Sequence, residues 1–189
     1  MGIFNIFKKK GSAQETEKSI PENMTPSEKK YMSKEYQEQK ERGKQQALDA
    51  SKEDGFLPED TIQFYKDVHD HWDSSTRHFE LNSIIEEEYK RLNSENLLND
   101  EKACEKIVAL CKEDIALAPE MKEYFIKTAP NLVKLPTYPS FKRLSIVYEK
   151  LGDINNAIKV LEQAIELGFD SDSTKSGLQG RIEKLTKKL

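Results

Sequence analysis

Between Pro139 and Leu167 the sequence PSFKRLSIVYEKLGDINNAIKVLEQAIEL allows few folds. Phe141, Leu144, Ser145, Tyr148 and Leu151 recur at helical spacing on one face. After Gly152-Asp153 the period resumes with Ile154, Ala157, Ile158, Leu161, Ala164, Ile165 and Gly168. Two amphipathic helices joined by so short a turn must fold back on each other. The alanines mark where a neighbouring helix comes close. Such a hairpin cannot bury its own apolar face, so the rest of the chain has to supply packing partners.

The 189 residues allow one ordinary domain with length to spare, and charged residues (34%) nearly match hydrophobic ones (36%). Part of the chain is therefore expected to lack a core. The charge is uneven: Ser51–Glu80 holds eight acidic and three basic residues, whereas Met1–Ala50 holds eight and ten. No segment has the one-sided basic charge that phosphate-backbone binding needs, and nucleic acid is not an expected partner. Cys104 and Cys111 stand seven residues apart in a helical pattern, roughly 10 Å by helix rise. That is too far for a disulfide, and two small buried thiols fit a reducing cytoplasm. There is no run of about 18 apolar residues, hence no expected transmembrane helix, and no secretory signal.

The chain divides into three. Residues 1–24 form an apolar tip and linker: Ile3, Phe4, Ile6 and Phe7 precede Lys8-Lys9-Lys10. This composition suits a weak interfacial anchor at an anionic membrane surface, or a tip that docks on the protein itself. Residues 25–54 read as a polar helical arm, opened by the capping box Thr25-Pro26-Ser27-Glu28 and continuing to about Lys52. Tyr31, Met32, Tyr36, Ala47 and Leu48 are its candidates for contact; Gly43 weakens its middle by about 1 kcal/mol. Residues 55–189 read as the all-helical domain. Its first helix carries Phe64, Val68, Trp72, Ser75 and Phe79 as a core stripe. A second capping box, Ser83-Ile84-Ile85-Glu86, starts a helix to about Leu97. Asn99 or Asp100 caps the next, with Ala103, Ile107, Leu110, Cys111, Ile115 and Leu117 inward. Glu120–Thr128 reads as a short helix. Pro130, Pro136 and Pro139 then forbid a continuous helix; the crossing segment is expected to be pinned by Leu132, Val133, Leu135 and Tyr138. Leu178, Ile182, Leu185 and Leu189 define a closing helix, where Gly180 implies close approach to the hairpin.

The order Tyr148, Leu151-Gly152-Asp153, Ala157, Ala164 resembles the second two-thirds of a tetratricopeptide repeat, over roughly Tyr138–Ser171. Phe141 and Ser145 stand where that family carries a tryptophan and a small residue. The second hairpin, made of the helix from Ser83 to about Leu97 and the helix that Asn99 or Asp100 caps, resembles a degraded second unit, with Ala103 and Ile107 echoing Ala157 and Leu161. The resemblance implies an all-α, small and irregular stack of helical hairpins closed by a C-terminal capping helix. It also implies a non-catalytic module that binds a peptide or protein on a concave surface. Lys142, Arg143, Ile146, Glu149 and Lys150 are the expected contact residues, with Lys142 and Arg143 suited to an acidic peptide.

One constellation points elsewhere. On a continuous helix Asp67, His71, Ser74 and His78 align at i, i+4, i+7 and i+11, so Asp67, His71 and His78 are candidate ligands for zinc or a similar ion. The reading adopted is a solvated acidic-histidine face with no metal and no cofactor. Neither a nucleophile–base pair nor a Gly-rich phosphate loop is present, and no enzyme is expected.

Overall fold

Every regular element among the described residues of the computed structural model (24–53, 55–170 and 176–189) is a helix, and none of them is a strand. The tip residues Ile3, Phe4, Ile6 and Phe7 lie outside the described residues. The hairpin forms as its sequence dictates. Helix α7 (Pro139–Lys150) packs on α8 (Ile154–Leu167) across a turn in which Gly152 takes φ 81°, a left-handed value that favours glycine. The Asp153 N–H donates to the Tyr148 carbonyl (2.9 Å), and the Asp153 side chain accepts from the Asn156 N–H. At the far end Gly168 is left-handed too, and the Phe169 N–H reaches back to the Ala164 carbonyl (2.8 Å). That closure folds the Phe169 ring onto Tyr138 and Phe141.

The same chemistry ends α4 (Trp72–Ser94). Asn96 takes φ 56° and the Leu97 N–H donates to the Leu92 carbonyl (2.8 Å), turning the chain into α5 (Glu101–Ala116), which Asp100 caps through the Ala103 N–H. Helix α7 lies against both α4 and α5, and α9 (Gly177–Thr186) lies against α8. Leu81, Ile85, Leu92, Ile107, Cys111, Met121, Phe141, Leu144 and Leu161 meet in one continuous apolar core. Full burial of each such side chain contributes about 1.5–3 kcal/mol. Both cysteines are buried and free, and burial pushes both thiols upward in pKa, so they pack as small apolar groups. Helix α6 (Ala118–Thr128) fills the angle between α4 and α3 (Glu59–Asp70).

Several expectations are corrected. Ser83 is not a cap: α4 runs through it, and its hydroxyl back-bonds to the Phe79 carbonyl. The helix break falls at His71, which ends α3 and begins α4. The expected core stripe is inward only in part, with Ser75 buried, Val68 and Trp72 half-buried and Phe64 and Phe79 exposed, while Asp67, His71, Ser74 and His78 turn inward. In the crossing segment Tyr138 is buried and Leu135 half-buried, but Leu132 is exposed and Val133 is 98% exposed. Gly180 is tight against the Ser176 side chain, not the hairpin, and Leu189 stays exposed.

The arm is two helices. Ser33 caps the end of α1 (Pro26–Met32) by donating to the Lys30 carbonyl and starts α2 (Lys34–Ala50) by accepting from the Tyr36 N–H. It is laid against the body by polar contacts. Ser27 donates to Glu87 from both its N–H and its hydroxyl, Lys106 pairs with Glu28 (2.7 Å), and Lys44 pairs with Asp73. Gly43 has a specific use: a Cβ there would stand 2.7 Å from the Trp72 ring, so glycine lets the indole lie on the helix.

Candidate binding groove and the buried polar knot

The inward histidine face holds no chelate. Among the described residues no three His, Cys, Asp or Glu side chains are placed to hold a metal ion. The His71 Nδ1 is 2.8 Å from the Asp67 carbonyl oxygen, a backbone contact, and His78 turns the other way, with Nδ1 2.8 Å from Asp114 Oδ1. Asp114 is the centre of a knot. It is wholly buried; Ser140 donates to its second carboxylate oxygen, the Tyr138 hydroxyl donates to its backbone carbonyl (2.6 Å), and Asn82 reaches the far nitrogen of His78 (3.0 Å). The Tyr138 ring lies 4.4 Å from the His78 ring, and burial with the Asp114 charge pushes the phenol far above its ordinary pKa.

Serine, histidine and aspartate together suggest acyl-transfer chemistry, but the order is wrong for it. Here the carboxylate stands between the other two, so the imidazole makes no contact with the hydroxyl it would have to deprotonate. Sealed from solvent, the group joins α4, α5 and the start of α7, and leaves the buried Asn82 Oδ1 without a partner. Asp114 escaped notice in the sequence although it falls seven residues after Ile107 and three after Cys111, on the buried side of α5.

The expected contact residues on α7 are spread over different surroundings. Arg143 makes a two-pronged pair with Glu86 (2.6 and 2.7 Å) and lies over the Tyr89 ring at 4.2 Å. Glu149 binds Arg181 and Lys188 of the α9 region. Burial alone would raise the Glu149 pKa; these cations more than offset it, leaving the carboxyl below its ordinary value. Lys142 and Ile146 are half-buried, and Lys150 is exposed. Arg143 and Glu149 are thus engaged in holding the fold.

A different surface gathers aromatic groups. Where the arm crosses α3, α4 and α6, Tyr31, Tyr36, Val68, Trp72, Phe79 and Tyr124 line an open groove of about 420 Å³. Phe79 is 52% exposed beside it. Its charged edge is Glu80, nearly buried, held by Lys40 (3.2 Å) and Arg77 (3.4 Å) and by the Tyr36 hydroxyl. Burial, then the Glu80 charge, pushes the Tyr36 phenol up to about 12, so it remains a hydrogen-bond donor at any ordinary pH. Trp72 is the only tryptophan of the chain, and its indole N–H is buried without an acceptor. An unmet donor of this kind costs about 1–3 kcal/mol. The nitrogen is out of solvent contact, so an incoming acceptor reaches it only when the indole tilts. A larger hollow of about 640 Å³ surrounds the Thr25 cap, but its charged groups are already paired: Glu87 with Ser27, Glu88 with Arg91 and Lys106 with Glu28. The sequence named the tyrosines and the tryptophan separately; only the crossing of the arm over α4 brings them together.

No helix among the described residues is long and apolar enough to cross a membrane. Comparison of the chain with known protein families, with curated proteins and with solved structures found no match.

Proposed function

We propose that the chain is a non-catalytic helical interaction module, which holds an apolar segment of a protein partner in the groove beside Trp72. The observation that carries the proposal is the buried, unpaired Trp72 N–H beside a groove that Tyr31, Tyr36, Phe79 and Tyr124 help to line, with Phe79 left half in water. Apolar side chains on a partner segment would cover Phe79 and Val68, and a backbone carbonyl of the segment would meet the indole. Such aromatic anchors dominate binding where pockets exclude water.

The tetratricopeptide-like reading is part of the same proposal. Helices α4, α5, α7 and α8 pack in the order that two stacked hairpins use, each helix against the next and α4 against α7, with α9 closing the end. Helix α6 and the Pro-rich crossing are the departures. On this reading the α7 residues Lys142, Ile146 and Lys150 form a second candidate surface. Affinity capture with the full chain and two variants separates the two. Partners lost on Phe79→Glu and kept on Lys142→Glu place binding in the groove; the reverse places it on α7. If both variants keep every partner, the interaction reading of these surfaces fails.

A further inference from the structure

The lining of the groove beside Trp72 narrows the kind of segment that suits it. Resting on the groove reading above, we infer that the partner segment is proline-rich and lies there as an extended polyproline II helix.

Hydrogen bonding points to such a ligand. The strong acceptor of the lining, the Glu80 carboxylate, is already taken by Lys40, Arg77 and the Tyr36 hydroxyl. The Ser75 and Thr76 hydroxyls turn back onto the Trp72 carbonyl (3.2 and 2.6 Å). Among the described residues the unmet group of this lining is a donor, the buried Trp72 indole N–H. Tyr31, Tyr124 and Gln39 complete the polar lining with side chains that can donate. A partner that laid its own N–H groups against this wall would bury donors with no strong acceptor to meet them. Proline brings a carbonyl and no N–H, and polyproline II spends none of its carbonyls on internal hydrogen bonds.

Ring faces point the same way. Tyr31, Tyr36, Trp72, Phe79 and Tyr124 share the lining, and the Tyr31 and Tyr36 rings stand 4.9 Å apart at 59°. Aromatic-lined grooves of this kind take pyrrolidine rings, and three residues per turn put prolines at i and i+3 on one edge of the ligand.

Charge complementarity excludes the alternatives. Lys40 and Glu80 are the charged residues of the lining, and they neutralise each other at 3.2 Å. On the neighbouring edge Lys44 and Asp73 are paired as well. An uncharged segment complements such a wall, whereas a basic or acidic one would have to compete with pairs already made.

The indole lies on α2 at Gly43 and has to tilt before a carbonyl can reach its nitrogen. A polyproline II segment is already extended when free, so it loses little conformational freedom on docking, which offsets that tilt. Pro-rich segments form semi-rigid linkers. The module would thus grip an exposed strap of its partner and leave the partner's fold untouched.

Trp72 is the only tryptophan, so the full chain has one indole N–H resonance. The probes are two synthetic peptides blocked at both ends, three repeats of Pro-Pro-Leu and three of Ala-Ala-Leu. Each is titrated into the isotope-labelled full chain and into a Phe79→Glu variant, whose helicity is checked first. Expected is saturable binding of the proline peptide, with the Trp72 indole proton moving downfield as a carbonyl meets it. That binding should be roughly tenfold tighter than for the alanine peptide and roughly tenfold weaker in Phe79→Glu. Equal or tighter binding of the alanine peptide at the same indole overturns the proline inference and leaves the groove reading standing. Binding of the proline peptide that leaves the indole resonance in place, or that Phe79→Glu does not weaken, puts the peptide elsewhere and overturns the inference. If neither peptide binds, the inference falls, and partner capture with Phe79→Glu still decides the groove reading by itself.

Discussion

The hairpins and the arm are held by opposite means. Between α4 and α8 the contacts are mostly apolar, with a sealed polar knot at Asp114 and the part-exposed Arg143–Glu86 pair among them. Between α1–α2 and the body they are mostly ion pairs and hydrogen bonds, part-exposed at Lys44–Asp73 and Lys106–Glu28 and nearly buried at Lys40–Glu80, and the only buried residue of α2 is Ala47. A fully buried Leu or Phe contributes about 1.5–3 kcal/mol, whereas a solvent-edge pair contributes about 0–1. The arm is therefore the part that yields first, and the groove lies on the seam between the two. A binding surface built there can open without unfolding the core.

The sharpest break in this contrast is Asp114→Ala. It strands Ser140 and His78 in the core, and chemical denaturation should show a loss of about 3–5 kcal/mol. A loss no larger than a surface substitution gives, about 0.5 kcal/mol, would mean the knot is not what joins the hairpins. Next comes Gly43→Leu, which drives a side chain into the Trp72 ring. Overpacking of this sort costs about 1–3 kcal/mol. The expected readout is a red-shifted tryptophan with unchanged amide protection around Phe141 and Leu161; if that protection falls as well, the arm and core are one cooperative unit. Arg143→Ala removes the Glu86 pair and the Tyr89 stacking, but both partners are a quarter or more exposed. About 1 kcal/mol is expected by thermal melting.

Acid gives the smallest and most selective effect. Glu28 and Glu87, which pin α1, both have lowered pKa values. Burial would raise them; for Glu28, Lys106 and the Thr25 N–H more than offset it, and for Glu87 the Ser27 N–H and hydroxyl do. A depressed carboxyl contributes stability that is complete above its ordinary value of 4.5 and is lost as pH falls through the lowered one. Backbone resonances of α1 should move in that window below pH 4.5 before those of α8 do. Simultaneous movement would contradict a separable arm.

Two parts of the body differ in how far their sequences reveal them. The α7–α8 hairpin was legible almost residue by residue, because apolar period, Gly152, Asp153 and Gly168 all state the same geometry. The inward face of α3–α4 was not. Periodicity counts apolar residues, and here the buried row is Asp67, His71, Ser74 and His78, while aromatic Phe64 and Phe79 stay outside. A polar row turns inward only if partners await it: His71 and Ser74 meet nearby backbone carbonyls, but the partners of His78, Asp114 and Tyr138, come from 36 and 60 positions further on. The turn before Asp100 was expected, but its left-handed residue, Asn96, was not singled out because it is not a glycine. The groove combines local features that were visible with a crossing that no local pattern encodes.

The Asp114 knot also selects the way the hairpins can meet. An apolar interface tolerates sliding, since one leucine replaces another at little cost. Here a shift of α7 along α5 by a single turn, about 5.4 Å, would carry Ser140 away from the carboxylate. Tyr138 would leave the Asp114 carbonyl with it. Near-native arrangements would then hold an unmet charge in a dry core, several kcal/mol above the correct one. The knot is a keyed joint, and its removal should broaden core methyl resonances at Leu144 and Leu161 even under conditions where the chain stays folded.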